Sequence, residues 1–351
     1  GLAAAEGRVQ LDARIPSLFP DDLPATVSPN LAALRVKDLL MMGAGHSRDA
    51  LFGPGFSLTD SKLHWVREVL VRPVEHAPGT HFVYNNGASY LLAAIVQKAT
   101  GQTVLDYLTP RLFKPLGIEG ADWEVSPQGI NCGAWGLRVR TEDIAKLGQL
   151  YLRKGQWNGR RILTEAWVEE ATRSQIQNAP AGADPAKNAV NDWAQGYGYQ
   201  FWRCRHGAFR GDGAYGQYCI VLPHQDAVIA ITSETPDMQA VMNAIWTHLL
   251  PALSDQPVPN DRAARRTLHD QLDRLMLPLP QGQPTSAISL NPRSLRFRIA
   301  ENSLGVKEVA LAFHRNRCEF KMEDAKGEHL VRCGVGSWVT GETRISPAAT
   351  H

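Results

Sequence analysis

The hydrophobic pattern of this chain changes period near residue 196, and that change decides its fold class. Before it, "ASYLLAAIVQKATG" places Leu91, Leu92, Ile95, Val96 and Ala99 on one helical face and stops at Gly101. Residues 61–72 also read as helical. Thr141 is expected to cap "EDIAKLGQLYLRKG", with Glu142 and Asp143 in the first turn, where the helix dipole favours acids. Thr164 opens "EAWVEEATRSQ" in the same way. After the change, "YGYQFWRC", "GQYCIVLP" and "DAVIAITS" are rich in strand formers, and "PHQD" is a tight turn between the last two. Asp237 then opens "MQAVMNAIWTHLL", with Met238, Val241, Met242, Ile245 and Leu249 at helical spacing. This order predicts an α+β fold, with helices packed on a mostly antiparallel sheet.

A second pattern begins past "PALSDQPVPND", which reads as a linker. A short charged helix is expected over 261–277. Beyond it, "SLRFRIA", "EVALAFH", "CEFKME" and "HLVRCGV" are short strands separated by turn residues. The expected organisation is a first domain over 1–253, a linker with a short helix over 254–278, and a small β-rich domain over 279–351. That last sheet reads as stopping before it is closed.

Composition narrows the function. Among 351 residues the formal net charge is +2, too balanced for a nucleic-acid surface. The longest apolar runs, "YLLAAIV" and "YCIVL", fall far short of a membrane span. The five cysteines are scattered and lack CxxC spacing, which argues against structural zinc. A chain of this size needs no disulfide framework, and a reducing compartment is mildly favoured. Cytoplasmic and periplasmic or secreted locations both stay open, as does the oligomeric state.

The opening "GLAAAEGRVQLD" joins good helix formers at Leu2, Ala3, Ala4 and Ala5 to a natural stop at Gly7, with no capping residue in front. It reads as the last turns of a helix whose start is absent.

The most informative stretch is "VEHAPGTHFVYNNGASYLLAAIVQKATGQTVLDYLTPRLFKPLGI". It contains a Tyr-x-Asn triplet, Tyr84-Asn85-Asn86, ahead of the buried helix, and "PLGI" about a helix later. This stretch resembles the serine hydrolases related to class C β-lactamases, penicillin-binding DD-peptidases and their esterase cousins. "RTEDIAKLGQLYLRKGQW" resembles that family's next helix, and "FRGDGAYGQYCIVLPHQDAVIAITS" its active-site strand and following hairpin. The resemblance covers about residues 1–250 and implies a β-lactamase/DD-peptidase-like fold.

It also implies a site of three motifs. Ser-x-x-Lys supplies a nucleophile and a Lys on one helical face. Tyr-x-Asn, matched by Tyr84 and Asn86, supplies the proton-transfer Tyr and an Asn that binds the Lys and the substrate. The third motif, Lys-Thr-Gly or His-x-Gly on an edge strand, is matched by Asp212, Gly213 and Ala214. The N–H of the next residue, Tyr215, is half of the implied oxyanion hole. No metal or organic cofactor is implied.

Two departures stand out. No Ser-x-x-Lys occurs in these residues, and Thr59-Asp60-Ser61-Lys62 is only a near approach in another segment. The resemblance puts the motif roughly three turns ahead of Gly1, at about 3.6 residues per turn. Asp212 stands where the family carries Lys or His, and a carboxylate there repels an antibiotic's carboxylate. Arg210 has the same strand parity as Asp212 and is placed to neutralise it.

The expected function is therefore acyl-enzyme hydrolysis of a small ester, amide or peptide rather than of a β-lactam, with this chain inactive alone. The alternatives are a non-catalytic peptide- or glycan-binding descendant, or one half of a split enzyme. Other features read as structural. "GDGAYG" precedes a strand, which favours substrate contact at a strand edge over a phosphate cradle. His46 and Ser47 in "AGHSRD" read as loop rather than as part of a nucleophile elbow, and His76, His81 and His206 lack the spacing of a metal site. Trp193, Tyr197, Tyr199, Phe201 and Trp202 read either as the lining of a pocket or, by default for most of them, as core.

Overall fold

A computed structural model describes the chain except residues 54, 55, 59, 61, 181, 257–259, 283–293, 303, 326 and 344–351. Thr59 and Ser61, part of the linker, and the start of the C-terminal strand region thus lie outside the described residues. The chain divides into two compact units, Gly1–Pro257 and Val258–His351. No helix among the described residues is long and apolar enough to cross a membrane.

In the first unit a short turn of helix, α1 (Leu2–Ala5), ends as Gly7 takes φ +69°. Loops then lead to α2 (Trp65–Leu70) and the long α3 (Asn86–Thr100). The periodicity predicts one buried face on α3. In the structure its first half is buried nearly all round: Gly87, Ala88, Ser89, Tyr90, Leu91, Ala93, Ala94 and Ile95 are all enclosed. Small residues at 87, 88, 93 and 94 permit this. A Cβ on Gly87 would lie 2.9 Å from Val69 Cγ2 and 3.1 Å from the Leu51 nitrogen. Pro110 and Pro115 are carried within successive helical turns from Val104 to Leu116.

Helix α4 (Thr141–Leu152) begins one residue earlier than expected. Its cap is Arg140, whose N–H donates to the Asp143 carboxylate, and Thr141 instead meets Thr232 through their hydroxyls at 3.0 Å. Helix α5 (Glu165–Thr172) starts as read, with Thr164 Oγ1 accepting from the Trp167 N–H.

The sheet follows: β1 (Trp202–Arg203), β2 (Phe209–Gly213), β3 (Gln217–Leu222) and β4 (Ala227–Ile231), antiparallel and in sequential order. The strand expected over "YGYQFWRC" shrinks to β1. Gln200 has φ +64° and the Gly198 N–H donates to the Phe201 carbonyl, so the chain folds back on itself there. A Cβ on Gly198 would lie 2.2 Å from the Ala171 carbonyl oxygen, which fixes this turn against α5. Helix α6 (Met238–Ala244), capped by Asp237 as read, closes the layer.

Alternation sorts the strands into two faces. Tyr218, Ile220 and Leu222 pack with Met242, Ile245 and Trp246. Cys219, on the opposite face, meets α4, donating from Sγ to the Ile144 carbonyl at 3.3 Å.

The second unit holds α7 (Arg262–Leu272), with no buried residue, and the strands β5 (Ser294–Arg298), β6 (Glu308–Phe313), β7 (Arg317–Asp324) and β8 (Gly327–Gly334). They form an antiparallel sheet in the order β8-β7-β6-β5. The four short strands read from the sequence match these within a residue or two.

Candidate active site

Tyr84 stands just ahead of α3. Its neighbour Asn85 is fully buried and caps the helix, its Oδ1 accepting from the Ala88 N–H at 3.2 Å and the Ala50 N–H at 3.1 Å. This anchor fixes where Tyr84 leaves the helix. Asn86, the first helical residue, turns to Asp49, which accepts from both its backbone N–H and its side-chain amide. Asp49 also accepts from the Leu51 N–H at 2.9 Å. The Asn86 amide is thus held by a carboxylate.

The Tyr84 ring lies parallel to the indole of Trp202, with centroids 5.5 Å apart. Trp202 is the cross-strand partner of Arg210, whose guanidinium lies 5.6 Å from the Trp202 ring. Arg210 is completely buried. It meets Asp212 through Nε at 2.9 Å and Nη2 at 2.7 Å, and its Nη1 donates to the Asp192 carbonyl and to Cys204 Sγ. The Trp193 ring covers it at 4.3 Å. These contacts link the Tyr-x-Asn segment to the strand that holds the third candidate motif.

The electrostatics follow from this packing. Tyr84 is 42% exposed; partial desolvation, then the charges of Asp212 and Asp49, push its phenol up to about 12. Tyr84 is therefore protonated at neutral pH. Burial also raises the Asp212 carboxyl above its ordinary range, against the pull of Arg210. Among the acids, Asp192 moves the other way. Burial opposes its charge, but hydrogen bonds from Arg205, Gln239 and Trp246 outweigh it and lower the pKa.

Strand β2 ends at Gly213, and Ala214, Tyr215 and Gly216 form the turn into β3. Tyr215 sits at φ +63°, a conformation that costs a non-glycine residue about 1–2 kcal/mol. Its carbonyl is held by the Ser233 hydroxyl and the Thr235 N–H, both at 3.0 Å. The turn is thus braced from the segment after β4.

The fold agrees with the comparisons to known proteins. The beta-lactamase family pattern matches residues 1–253. The chain belongs to the beta-lactamase family. A 6-aminohexanoate-dimer hydrolase from Paenarthrobacter ureafaciens is 26% identical over 160 residues, covering 44% of this chain and 40% of the relative. A D-aminopeptidase from Brucella anthropi is 35% identical over 52 residues, 15% of this chain and 10% of that one. The chain thus spans less than half the length of these curated relatives.

Two solved structures share the fold. SurE with D-Leu superimposes with a TM-score of 0.55 at 16% identity, covering 99% of this chain and 80% of SurE. The octameric penicillin-binding protein homologue from Pyrococcus abyssi gives 0.52 at 16% identity, covering 94% and 74%.

In this beta-lactamase-family chain, sequence reasoning singled out Tyr84, Asn86, Arg210 and Asp212 but missed three neighbours. Asp49 holds Asn86. Trp202, read chiefly as core, is the surface on which Tyr84 stacks. His46, read as loop, is buried, and its Nδ1 lies 3.2 Å from the Asn85 amide nitrogen. Burial lowers the His46 pKa, keeping the ring neutral so that Nδ1 accepts from Asn85. Ser47 beside it points outward, its Oγ 3.2 Å from His76 Nε2. The signal for His46 and Asp49 was their place in "GHSRDAL", a polar cluster flanked by buried residues.

Proposed function

We propose that the first unit carries the proton-transfer and oxyanion side of a serine-hydrolase site, acting by acyl-enzyme chemistry on an amide, peptide or ester. In this reading a serine attacks the carbonyl and Tyr84 takes its proton. Tyr84 then returns that proton to the leaving group, and water completes the cycle. Asn86 orients the substrate amide beside Asp49, and the Tyr215 N–H meets the oxyanion. Asp212, neutralised by Arg210, leaves no free cation to bind a β-lactam carboxylate. The relatives named for a 6-aminohexanoate dimer and for D-amino peptides support an amide substrate. The second unit is an appended β domain.

One observation carries this reading: Tyr84 of the Tyr-x-Asn triplet stacks on Trp202, the cross-strand partner of Arg210 on the strand that holds Asp212. Partial desolvation and two carboxylates raise its phenol to about 12, although it is 42% exposed, so it needs a nearby cation to act as a base. A lysine ammonium about 4 Å away would contribute about 4 kcal/mol at an effective dielectric near 20, a drop of about three in pKa. These 351 residues bring no such cation through a Ser-x-x-Lys motif. The chain alone is therefore inactive, since loss of such a nucleophile costs on the order of 10⁶ in kcat.

The test is turnover of an activated ester and an anilide, with and without an added helical peptide bearing Ser-x-x-Lys. We expect none without it, turnover with it, and a loss of about 10² or more on Tyr84→Phe. Turnover by the chain alone, serine labelling by a fluorophosphonate, or an unaffected Tyr84→Phe would refute the reading.

A further inference from the structure

The second unit contains a pair of cysteines that the proposed hydrolysis does not use. Cys318 on β7 and Cys333 on β8 are direct cross-strand partners, and both are free thiols. Direct partners project to the same face of a sheet. Cys318 is half-buried and Cys333 exposed. The other three cysteines, Cys132, Cys204 and Cys219, are buried in the first unit.

The spacing follows from the ladder. The Val335 N–H donates to the Asn316 carbonyl at 3.0 Å, which marks 316 and 335 as a hydrogen-bonded pair. Bonded and non-bonded pairs alternate, so 318 and 333, two residues further in, form a bonded pair again. Such a pair has Cα atoms about 5.5 Å apart, within the most common range for a disulfide, about 5.5–6 Å. The Cβ atoms of facing residues are about 4.5–5.5 Å apart, against about 3.8 Å in a disulfide. The closer end of that range belongs to non-bonded pairs, so closing the bond asks the two strands for a local approach of about 1.7 Å.

We propose that Cys318 and Cys333 are a reversible thiol–disulfide site that staples β7 to β8. The oxidant is a small-molecule disulfide of the glutathione type. The Cys333 thiolate, exposed to solvent, attacks one sulfur of that disulfide, forming a mixed disulfide and releasing one thiolate. The Cys318 thiolate then attacks the Cys333 sulfur, forms the intramolecular bond and releases the second thiolate. Two protein thiols are oxidised, one small disulfide is reduced to two thiols, and the protons pass through solvent. An exposed bond of this kind belongs to the labile class rather than to permanent structural staples.

The experiment holds the full native chain in glutathione buffers of graded oxidised-to-reduced ratio, quenches with acid, alkylates and maps peptides by mass. Expected in the wild type is a cross-linked peptide joining residues 318 and 333, reversed by reduced glutathione, with Cys132, Cys204 and Cys219 alkylated after unfolding. In Cys318→Ser the second step is blocked, so a glutathione adduct accumulates on Cys333. Cys333→Ser yields no cross-link. A wild type that retains the Cys333 adduct without closing, or that links two chains instead, overturns the proposal. So does one that stays fully reduced in the most oxidising buffer.

Discussion

Replacing Arg210 by methionine tests the electrostatic core of the candidate site. Arg210 and Asp212 are both buried and meet at 2.7 Å. At that distance and an effective dielectric near 20, their attraction is about 6 kcal/mol. Desolvation of the two ions offsets much of it, so the intact pair contributes little net stability. Removing one partner leaves the cost of the other uncompensated, about 3–5 kcal/mol. Arg210→Met is expected to lose that amount at neutral pH, a large share of a typical total of about 5–15 kcal/mol.

The pH dependence supplies the signature. Asp212 is already held above its ordinary value by burial against the pull of Arg210, and loss of Arg210 raises it further. An acid whose pKa is raised on folding binds more protons folded than unfolded. Stability therefore falls as pH rises from the unfolded pKa, about 3.9, to the folded one, and is flat above. The deficit of Arg210→Met is full at neutral pH and shrinks as the pH falls toward about 4. Urea melts followed by tryptophan fluorescence read this, because only Trp338 of the nine tryptophans lies beyond residue 257. With m near 3 kcal/mol/M, the midpoint falls by roughly 1 M or more. The double variant Arg210→Met, Asp212→Leu is expected to recover most of the loss. A deficit under about 1 kcal/mol, one that is flat with pH, or a double variant no better than the single would refute the reasoning.

Asp192 is fully buried and accepts from Arg205, Gln239 and Trp246. Asp192→Ala is expected to cost about 3–5 kcal/mol by denaturant melt. Its pKa is lowered on folding, so its stabilisation is complete above the unfolded carboxylate range and lost as pH falls through the folded value; Asp192→Asn should flatten that acid limb. For Tyr84, a titration near 12 should be visible by NMR of tyrosine ring carbons, with Tyr84→Phe as the assignment. Asp212→Asn should move it down, and an upward or null shift would contradict the stated cause. Gly148 sits where α4 crosses the sheet, and a Cβ there would lie 2.5 Å from Val228 Cγ1 and 3.0 Å from Cys219 Sγ. Gly148→Val is expected to cost about 1–3 kcal/mol or more in the same melts.

Local chemistry explains which parts of the fold were legible. Thr164 and Asp237 cap helices because a short polar side chain ahead of an apolar run satisfies the first free N–H groups, and that signal is written within four residues. Thr141 carries the same signal, yet its hydroxyl meets Thr232, a partner 91 residues away, and Asp143 satisfies the Arg140 N–H instead. The strand read across "YGYQFWRC" failed for a related reason. Its alternation is real, but contact with α5 folds Gly198 and Gln200 into a turn.

The same division runs through the site. Tyr84 and Asp212 could be read from segments around them because each sits in a dense local pattern. Arg210, two residues from Asp212, was legible by strand parity, but the neighbours of Tyr84 and Asn86 could not be read because they come from afar. Asp49 reaches Asn86 across 37 positions, and Trp202 meets Tyr84 from another layer of the fold. Those distant groups set the electrostatics: partial desolvation and two carboxylates raise the pKa of a phenol that stays 42% exposed, where the local motif alone suggested a base. A motif therefore locates a reactive group, while its protonation state is a property of tertiary packing.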